Sequence, residues 1–548
     1  MLEDMATAYI LKKGNIFQIR AYKNAATAVE HSTVEVKDLW EAGRLDQIPN
    51  VGEGLQQYLD ELFKTGKVKH WEEVKNGIPE QVFEFTEISG VGPKTAFKLA
   101  QLGVEDIEDL KDKLRSGELI KKGFSQKVAE KLLPAIEQMS FVKSGRMLLP
   151  YAFNQAQKVI DYVKKSAFVE KIEALGSLRR MVATIGDLDF AVTSNNIQQT
   201  IEHIINLPDS QVVKEGETQV TLSTSSGLNL DFIITKPESF GSLLQHYTGS
   251  KAHNIHLRKV AEKKGLSLSE HGIREAKNQK PKVFKTATEK EFYHLLGMDV
   301  PPPEIREDTG EIEAALAHKL PDLVKQEDIK GDLHIHDNFP IETGRDLGLN
   351  SIEEIAEQAK ILGYLYVGVA DHTPSISNHT NKEMVALVKT RTRLVEQYNS
   401  SHISVRVLNL LEVDILPDGR LSVPEEALKL LDFAIVSVHS GHWMDKENMT
   451  KRIIKALESP YVKVLGHPTG RLLNQRESYE VDWNEVFKFA AKNNKALEIN
   501  SSPDRLDLPD ILVRQAKEKG VKFVINTDSH EINSMEIMRF GVAVARRG

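Results

Sequence analysis

The sequence predicts a multidomain protein with a helical N-terminal region, a mixed α/β middle region and a C-terminal parallel sheet or barrel. Its 548 residues exceed what one hydrophobic core usually organises. Helical periodicity interrupted by glycine turns continues to about residue 140. From about residue 330, strand-like runs such as YLYVGVAD, FAIVSVHS and KFVINTDSH alternate with helical patterns. Alternating β and α units of this kind favour a parallel sheet or barrel.

Changes in pattern and composition divide the chain further. Prolines and acidic residues cluster in MDVPPPEIREDTGEIEAALAHKLPDLVKQEDIKG, which predicts a linker with one short helix inside it. The predicted segments are a helical domain at 1–80, a second helical subdomain at 81–145, an α/β domain at 146–240, a smaller subdomain at 241–305, the linker at 306–329 and the C-terminal domain at 330–548.

The composition is that of an ordinary globular protein, with 41% hydrophobic residues, 27% charged residues and no cysteine. Without cysteine, disulfides and thiolate ligands are excluded, so any metal must be held by histidines and carboxylates. No apolar run approaches the roughly 20 residues of a membrane span. The start, MLEDMATAYILKKG, predicts an amphipathic helix rather than a signal peptide. We expect a cytoplasmic protein, and a monomer because no oligomer signal is present. The formal net charge of −8 does not indicate a nucleic-acid binder, so any contact with nucleic acid must be local.

The helical region contains two copies of a glycine turn that leads into a helix, IPNVGEG and ISGVGPKTA. Glycines allow a tight turn that exposes main-chain N–H groups at the start of the helix. Such groups bind a DNA phosphate without sequence preference. The turns therefore predict helix–hairpin–helix motifs, although a single copy would fit a plain packing unit. The candidate DNA-binding residues here are Gly52, Gly54, Gly90, Gly92 and Lys94.

Three aspartates mark a candidate catalytic site in the middle region. Asp187 and Asp189 alternate along the strand-like run IGDLDFAV, and Asp231 in LNLDFI can join them from a neighbouring strand. Clustered carboxylates repel each other and call for cations, and two Mg²⁺ or Mn²⁺ ions suit them. The upstream Gly176–Ser177 turn offers N–H groups and a hydroxyl to phosphate. Asp-x-Asp alone is usually a solvated strand, but in this combination it is typical of nucleotidyltransferases.

Ligand-type side chains end the strand-like runs of the C-terminal region. Asp332, His334 and His336 alternate in KGDLHIHDN, so they share one face of a strand. The later runs end in Asp371, His372, Glu412, His439, His467, Asp528 and His530. Because active residues gather at the carboxyl ends of parallel strands, these residues predict a metal cluster.

This constellation resembles the polymerase-and-histidinol-phosphatase (PHP) domain, a distorted (β/α)7 barrel of phosphoesterases with up to three bound metals. The resemblance covers residues from about 325 to 548. It implies divalent metals such as Mn²⁺ or Zn²⁺. The implied ligands are His334, His336, His372, Glu412, His439, His467, Asp528 and His530.

The loop after His336 departs from the PHP family. Members usually have a short loop that ends in Ser-Asp-Gly, whose Asp is also a ligand. Here the loop DNFPIETGRDLG is longer, and Leu347 falls at the Asp position if Gly348 is aligned. Asp337 or Asp346 would then substitute. A structural or regulatory PHP domain with weak catalysis is therefore an alternative to an active nuclease.

The segment HYTGSKAHNIHLR resembles the nucleotide-binding segment of family X DNA polymerases, which joins a nucleotidyltransferase palm to a thumb. The resemblance implies that His246, Tyr247 and Gly249 line the sugar and base. It also implies that Asn254 meets the base edge and that Arg258 approaches the template. The implied triphosphate contacts are Gly176, Ser177, Arg180 and Gly186. Eukaryotic relatives usually have Tyr-Phe in place of His-Tyr, which leaves the sugar selectivity open.

All three regions occur in this order in bacterial family X DNA polymerases that carry a PHP domain. The resemblance begins inside the first helix, so the start is expected to be a few residues short. It implies a repair polymerase that adds dNTPs to gapped or nicked DNA in the nucleoid. It also implies a 3′–5′ exonuclease, 3′-end-processing or abasic-site endonuclease activity in the PHP domain. A small-molecule phosphatase on a DNA-binding scaffold is the other alternative.

Several relatives also carry a deoxyribose-phosphate lyase, which uses a lysine on the helix after the first hairpin. Tyr58 stands at that position here. A Schiff base needs an amine at the sugar carbon, so we expect no lyase activity by this mechanism.

Overall fold

The structure is a computed structural model, and its chain divides into two compact units, Met1–Gly145 with Leu472–Glu477 and Arg146–Arg471 with Ser478–Gly548. It describes residues 1–548 except 31–35, 42, 49, 87, 89–90, 127, 130–131, 133–145, 225–227, 277–282, 344 and 403. No helix in the described part of the chain has the length and apolar character needed to cross a membrane. The finer domain boundaries remain predictions.

The first unit is helical throughout its described elements. Its helices are α1 Leu2–Leu11, α2 Ile16–Glu30, α3 Val36–Glu41, α4 Glu53–Thr65, α5 Lys69–Lys75, α6 Gln81–Thr86, α7 Pro93–Gln101, α8 Ile107–Arg115 and α9 Glu118–Lys121. Apolar residues at helical spacing, including Met5, Tyr22 and Leu59, pack into one core. Gly52 and Gly92 stand directly before α4 and α7, as the two glycine turns predict.

The second unit begins with a five-stranded sheet in the order β2-β4-β7-β6-β5. Its strands are β2 Val169–Ala174, β4 Leu188–Ser194, β5 Ser210–Glu215, β6 Gln219–Thr224 and β7 Asn229–Thr235, and a separate pair is formed by β1 Met147–Leu148 and β3 Thr184–Ile185. The helices are α10 Leu149–Val163, α11 Gly176–Arg179 and α12 Ile197–Ile204. Strands β4 and β7 are parallel neighbours, and the buried rings of Phe190 and Phe232 stack between them at 5.1 Å.

A smaller subdomain follows the five-stranded sheet. It contains α13 Phe240–Thr248, α14 Lys251–Lys263, α15 Glu289–Leu295 and the three-stranded sheet β8 Leu266–Ser269, β9 Gly272–Glu275 and β10 Val283–Phe284. The segment predicted as a linker carries the predicted short helix, α16 Glu311–Leu316. Its Arg306 and Ile312 are fully buried, and Ile312 belongs to the core of this subdomain. The segment is therefore packed against its neighbours.

The C-terminal region is the predicted seven-stranded parallel barrel, with its strands in chain order. They are β11 Gly331–Ile335, β12 Tyr366–Val369, β13 Arg406–Asp414, β14 Phe433–Ser437, β15 Val462–Leu465, β16 Ala496–Asn500 and β17 Lys522–Asn526. A parallel bridge between Ile335 and Ser529 brings the last strand back to the first. The helices are α17 Ile352–Ile361, α18 Asn381–Ser401, α19 Glu425–Leu428, α20 Lys446–Leu457, α21 Trp483–Lys492, α22 Asp510–Glu518 and α23 Met538–Arg547. Strand residues such as Val367, Leu411 and Ile435 are fully buried, as expected when helices cover a parallel sheet.

A buried arginine joins α18 to the first barrel strands. Arg391 is fully buried, and its Nε donates to Asp371 Oδ2 at 2.8 Å. Its other nitrogens donate to the carbonyls of Val369 and Leu410 at 2.7 Å each. Removing one partner of a buried ion pair leaves the other uncompensated, so this arginine is expected to stabilise the barrel.

We predict that Arg391→Ala destabilises the protein by about 3–5 kcal/mol, because Asp371 would remain buried without its cation. The matched control is Arg393→Ala, which removes an exposed arginine from the same helix and should change stability by no more than about 0.5 kcal/mol. Denaturant unfolding followed by circular dichroism measures both. Equal effects of the two substitutions would contradict the role of the buried pair.

Candidate active sites

The first candidate site consists of three aspartates at one end of the five-stranded sheet. Asp187 precedes β4, Asp189 lies on β4 and Asp231 lies on β7. Asp189 and Asp231 stand side by side, because the parallel register pairs them. One carboxylate oxygen of each aspartate lies within 4.8 Å of the others. Thr221 Oγ1 donates to Asp231 Oδ1 at 2.5 Å and orients that carboxylate.

Burial and repulsion within this cluster change the pKa of its central member, Asp189. Burial, together with the neighbouring carboxylates of Asp187 and Asp231, raises the pKa of Asp189 to about 7. Such a group is only partly ionised near neutral pH unless a cation joins it. Grouped carboxylate oxygens suit hard divalent cations such as Mg²⁺ or Mn²⁺. The three aspartates therefore fit a metal site, and the number of ions remains a prediction.

A tight turn brings predicted phosphate contacts next to these aspartates. Gly176 has a φ of +56°, and a Cβ there would lie 2.6 Å from Asp189 Oδ2, so glycine lets the chain pass this close. Ser177 follows within the short helix α11. Arg180 comes directly after α11, and its Nε donates to Glu307 Oε1 at 2.9 Å.

The turn after α13 meets Arg180 from the other side. Arg180 Nη1 donates to the carbonyl of Thr248. A Cβ on Gly249 would lie 3.0 Å from the same Nη1 atom. The predicted residues Arg180 and Gly249 are therefore neighbours. Gly186 lies next to another arginine, since a Cβ there would be 3.1 Å from Arg146 Nη1.

The remaining predicted nucleotide contacts lie on α13 and α14. The rings of His246 and Tyr247 are 4.9 Å apart, and burial lowers the pKa of His246 and raises the pKa of Tyr247, so both are neutral at pH 7. Asn254 Nδ2 donates to the His246 carbonyl and Asn254 Oδ1 accepts from Gln245 Nε2, both at 2.7 Å. These bonds leave one N–H donor and one oxygen lone pair of the amide for a base edge. Arg258 is exposed on α14.

The predicted DNA contacts of the first unit include three glycines that internal packing does not require. A Cβ added to Gly52, Gly54 or Gly92 would meet open space among the described residues. Gly52 and Gly92 also have ordinary extended backbones, with φ −68° and −79°. Lys94 is exposed in the first turn of α7. Gly90, also predicted to contact DNA, lies outside the described residues.

The position predicted to lack a lyase lysine is occupied by an aromatic cluster. Tyr58 stacks on the ring of His70 at 5.1 Å. His70 Nε2 lies 2.9 Å from the hydroxyl of Tyr9. The aromatic cluster offers no amine, so the absence of lyase activity by this mechanism remains our prediction.

The second candidate site lies at the carboxyl ends of the barrel strands. The eight residues predicted there as metal ligands are His334, His336, His372, Glu412, His439, His467, Asp528 and His530. Three overlapping groups of them, His336–His372–His530, His334–His336–Asp528 and His372–Glu412–His439, have candidate ligand atoms within 4.8 Å of one another. The structure thus brings all but His467 into such groups.

Glu412 lies at the centre of one half of this cluster and also reaches His467. Its Oε1 is 2.7 Å from His467 Nε2 and 3.1 Å from His439 Nε2. Its Oε2 lies 2.6 Å from His372 Nδ1, although neither atom has a hydrogen-bond partner of acceptable geometry among the described residues. Two atoms that approach closely without a shared hydrogen fit common ligation of a cation.

Asp528 lies in the other half of the cluster. Its Oδ1 is 3.1 Å from His336 Nε2 and 3.4 Å from His334 Nε2. The rings of His336 and His530 stack at 4.0 Å. Burial lowers the pKa of His336 and of His530 to about 4, so both imidazoles are neutral at pH 7 and have a lone pair to offer.

Unsatisfied buried atoms test whether a metal fits this cluster. His334 Nε2, His336 Nδ1 and His530 Nε2 are buried without a hydrogen-bond partner among the described residues. Buried polar atoms are normally paired, so several unpaired imidazole nitrogens in one place need an explanation. Neutral imidazoles and carboxylates form a suitable donor set for Mn²⁺ or Zn²⁺. The residues present fit a metal centre.

Sequence reasoning missed the residues that orient these ligands. Glu498 on β16 accepts from His334 Nδ1 at 2.8 Å and from the His467 backbone N–H at 2.6 Å. Asp414 on β13 lies 2.6 Å from His439 Nδ1. Such partners set the tautomer and direction of a ligand histidine. Glu498 carried a signal, because it stands at the end of the strand-like run KALEIN.

Of the two residues proposed to replace the missing loop aspartate, Asp337 belongs to a buried ion network. Its backbone N–H donates to Asp371 Oδ1 at 2.7 Å, and its Oδ2 lies 3.9 Å from Arg391 Nη2. Its Oδ1 accepts from the backbone N–H of Phe339 at 2.7 Å. Asp337 Oδ2 has no hydrogen-bond partner among the described residues, and Asp337 belongs to none of the candidate metal groups found there.

Asp346 is the residue whose charge acts on the cluster. Burial and His336 lower the pKa of His530, while Asp528 and Asp346 act to raise it. Leu347, at the aligned position, is 40% exposed. A Cβ on Gly348 would lie 1.9 Å from the carbonyl oxygen of His336, so glycine is required where the loop returns.

We predict that the metal-free protein loses stability as pH rises from about 4 to 7, in part through Asp189. Its folded pKa of about 7 exceeds the ordinary 3.8, so the folded state binds the proton more tightly and its advantage disappears as the proton leaves. Asp189→Asn should remove up to about 4 kcal/mol of this pH dependence. Thermal unfolding in EDTA measures it, with the exposed Asp209→Asn as the matched control. Parallel pH profiles for wild type and Asp189→Asn would contradict the assignment.

Comparison with known proteins finds three family models that match parts of the chain and several similar proteins. A helix–hairpin–helix domain model matches residues 1–68, and a SAM-like helix–hairpin–helix tandem model matches residues 82–137. A DNA polymerase beta thumb model matches residues 243–307. A probable phosphatase of Thermoanaerobacter sp. (strain X514) is 30% identical over 223 residues, which cover 39% of this chain and 83% of that protein.

Two polymerases are similar over longer stretches. DNA polymerase lambda of Rattus norvegicus is 27% identical over 336 residues, covering 56% of this chain and 55% of that protein. The DNA polymerase/3′–5′ exonuclease PolX of Bacillus subtilis (strain 168) is 33% identical over 555 residues, covering 100% of this chain and 94% of that protein. With this similarity over its full length, the chain belongs to the bacterial family X DNA polymerases that carry a C-terminal PHP domain.

Proposed function

We propose that this protein is a repair polymerase that fills short gaps in DNA and that its PHP domain degrades DNA from 3′ ends. The observation that carries the proposal is the register of β4 and β7, which sets Asp231 beside Asp189 next to the Gly176 turn. The name of the Bacillus subtilis relative, DNA polymerase/3′–5′ exonuclease, supports the pairing of the two activities.

In the polymerase reaction, the primer 3′-hydroxyl attacks the α-phosphate of a dNTP. The new O3′–P bond forms as the bond to pyrophosphate breaks, and the hydroxyl proton is released. Asp187, Asp189 and Asp231 would hold two Mg²⁺ or Mn²⁺ ions in line with their donor set. Asp189 must be ionised for this role, although burial and its neighbours favour its protonated form when no cation is bound.

Nucleotide recognition would fall to the two turns beside these aspartates. Ser177 and Arg180 would bind the triphosphate, with Gly176 and Gly186 in the same segment. Arg180 is aligned for this by its bonds to Glu307 and the Thr248 carbonyl. His246, Tyr247 and Gly249 would line the sugar and base, with Asn254 at the base edge and Arg258 toward the template.

In the PHP domain, the reaction would be hydrolysis of the 3′-terminal phosphodiester, in which water attacks phosphorus and the O3′ of the preceding nucleotide leaves. The eight ligand-type residues would hold up to three Mn²⁺ or Zn²⁺ ions, and Glu498 and Asp414 would orient the ligand histidines. When bound at either site, divalent ions activate the attacking oxygen and stabilise charge on the phosphate. Removal of blocked 3′ ends and cleavage at abasic sites use the same chemistry.

DNA binding would rest on the two hairpin turns. At a net charge of −8, local main-chain N–H groups are better suited to the phosphates than the charge of the whole chain. Open space at Gly52, Gly54 and Gly92 supports the close approach of a phosphate. The substrate we propose is gapped or nicked DNA, bound by a monomer.

We predict that Asp187→Ala and His336→Ala separate the two activities. On a 5′-labelled primer in a short gap with Mn²⁺, Asp187→Ala should lower extension at least about a hundredfold and leave shortening intact. His336→Ala should do the reverse, because each change removes a ligand from one site only. Gel separation of products with and without dNTPs measures both.

The rival functions give different patterns in the same assay. Nuclease activity that survives His336→Ala would favour a structural or regulatory PHP domain. Turnover of histidinol phosphate with no action on DNA would favour the small-molecule phosphatase. Loss of both activities in each variant would mean that the sites are misassigned.

We predict that Gly52→Val and Gly92→Val each weaken binding of gapped DNA about tenfold or more, because the added side chain keeps the phosphate from the main chain. Folding should be unaffected, since a Cβ at either position meets open space among the described residues. Fluorescence anisotropy measures the affinity. Gln101→Val, at the far end of α7 from the hairpin, is the matched control. Equal affinities for Gly92→Val and Gln101→Val would contradict the role of the hairpins.

A further inference from the structure

The arginine proposed to bind the dNTP triphosphate contacts an element of the PHP barrel. Arg180 shares Glu307 with Arg547, the last residue of α23. Arg180 Nε lies 2.9 Å from Glu307 Oε1, and Arg547 Nη1 lies 3.1 Å from the same oxygen. Arg547 Nη1 also donates to the backbone carbonyl of Arg180 at 2.7 Å.

Arg547 is itself held firmly in place. Its side chain is 8% exposed, and its Nε donates to Asp510 Oδ2 on α22 at 2.7 Å. Its backbone carbonyl accepts from Arg514 Nη2 at 2.8 Å. The barrel therefore presents this guanidinium to the Arg180 turn from a fixed position.

Packing around α23 supports the same contact. Phe540 is buried and meets Phe153 of α10 edge to face, with ring centroids 5.9 Å apart. The guanidinium of Arg539 lies 4.7 Å from the ring centroid of Phe153 and 4.8 Å from that of Phe540. Aromatic and cation–π contacts of this kind seat α23 against the polymerase domain.

We propose that Arg547 is a positioning residue for dNTP binding, through which the PHP barrel holds Arg180 ready for the triphosphate. This inference rests on the proposed role of Arg180. Arg547 shares the negative charge of Glu307, which otherwise competes with phosphate for Arg180. It also fixes the backbone carbonyl of Arg180, and with it the turn that carries the guanidinium.

Removal of Arg547 should weaken nucleotide binding, for two reasons. Without it, Glu307 pairs with Arg180 alone and releases it less readily to an incoming triphosphate. The Arg180 carbonyl also loses a charge-assisted donor, so the turn is held less well. Both effects weaken dNTP binding. Neither touches the PHP metal ligands.

The neighbouring arginine provides a matched control. Arg546 donates to Glu304 Oε1 at 2.7 Å and to the Val324 carbonyl at 2.9 Å. It has the same charge and lies in the same helix, and within the described part of the chain its side chain bonds to Glu304 and Val324 rather than to Arg180 or Glu307. Arg546→Ala therefore measures how a general loosening of α23 affects dNTP binding.

The test measures the dissociation constant for the correct dNTP on gapped DNA whose primer ends in a dideoxynucleotide, so that no chemistry occurs. Arg547→Ala should raise this constant about tenfold, and Arg546→Ala should leave it within about twofold. Arg547→Lys, which keeps the charge but loses the planar guanidinium with its several N–H donors, should give an intermediate value. In an Arg180→Ala background, Arg547→Ala should have no further effect. The exonuclease rate of Arg547→Ala should match that of wild type and serves as a check on folding.

Two results would overturn the inference. One is an equal dissociation constant for Arg547→Ala and Arg546→Ala. The other is that Arg547→Ala raises the dissociation constant by the same factor in the Arg180→Ala background as in the wild-type background. Failure of the wild-type protein to extend a primer at all would instead overturn the proposed function, so the two failures are distinguishable.

Discussion

The constraint on which both candidate sites depend is the burial of ionisable groups that are packed close together. Asp189 lies beside two other carboxylates, and burial raises its pKa to about 7. In the barrel, Glu412 and Asp528 are surrounded by imidazoles, several with unpaired buried nitrogens. Burial penalises the charged forms of the groups in both clusters, and a divalent cation would offset that penalty, so the folds that assemble them make sense as metal-binding scaffolds.

Both clusters are built by the same device, parallel strands in register. A parallel pair brings corresponding positions side by side, as with Asp189 and Asp231. Seven parallel strands in chain order bring the ends of β11 to β17 to one rim. Buried partners such as Glu498 and Arg391 then hold ligands and loops in one orientation. The rigid strands, together with the buried residues that hydrogen-bond to the ligands, explain how short side chains are held at metal-binding distances.

Much of this arrangement could be predicted from the sequence because it is periodic. Alternation in GDLHIH and GDLDF predicts a shared face, and a ligand at the end of each strand-like run predicts a common rim. The glycine turns before α4 and α7 were also predictable, since glycine has few other reasons to recur at a helix start.

The parts that could not be predicted depend on contacts between residues distant in the chain. Asp414 looks like an ordinary strand residue until the barrel brings His439 against it. Glu498 ends a strand-like run, but its pairing with His334 appears only in the fold. The packing of Arg306 within a proline-rich segment, and the meeting of Arg547 with Arg180, have no local signature either. The sequence could not decide which residue replaces the loop aspartate. Asp337 and Asp346 have the same side chain, and only the three-dimensional structure shows which groups surround each of them.

The central claim is that each cluster exists to hold divalent cations. The most direct test is anomalous X-ray scattering at the manganese edge from crystals of the full chain grown with Mn²⁺. We expect separate manganese peaks, one set among Asp187, Asp189 and Asp231 and another among the barrel histidines, Glu412 and Asp528. Ordered side chains with no peak in either cluster would contradict it.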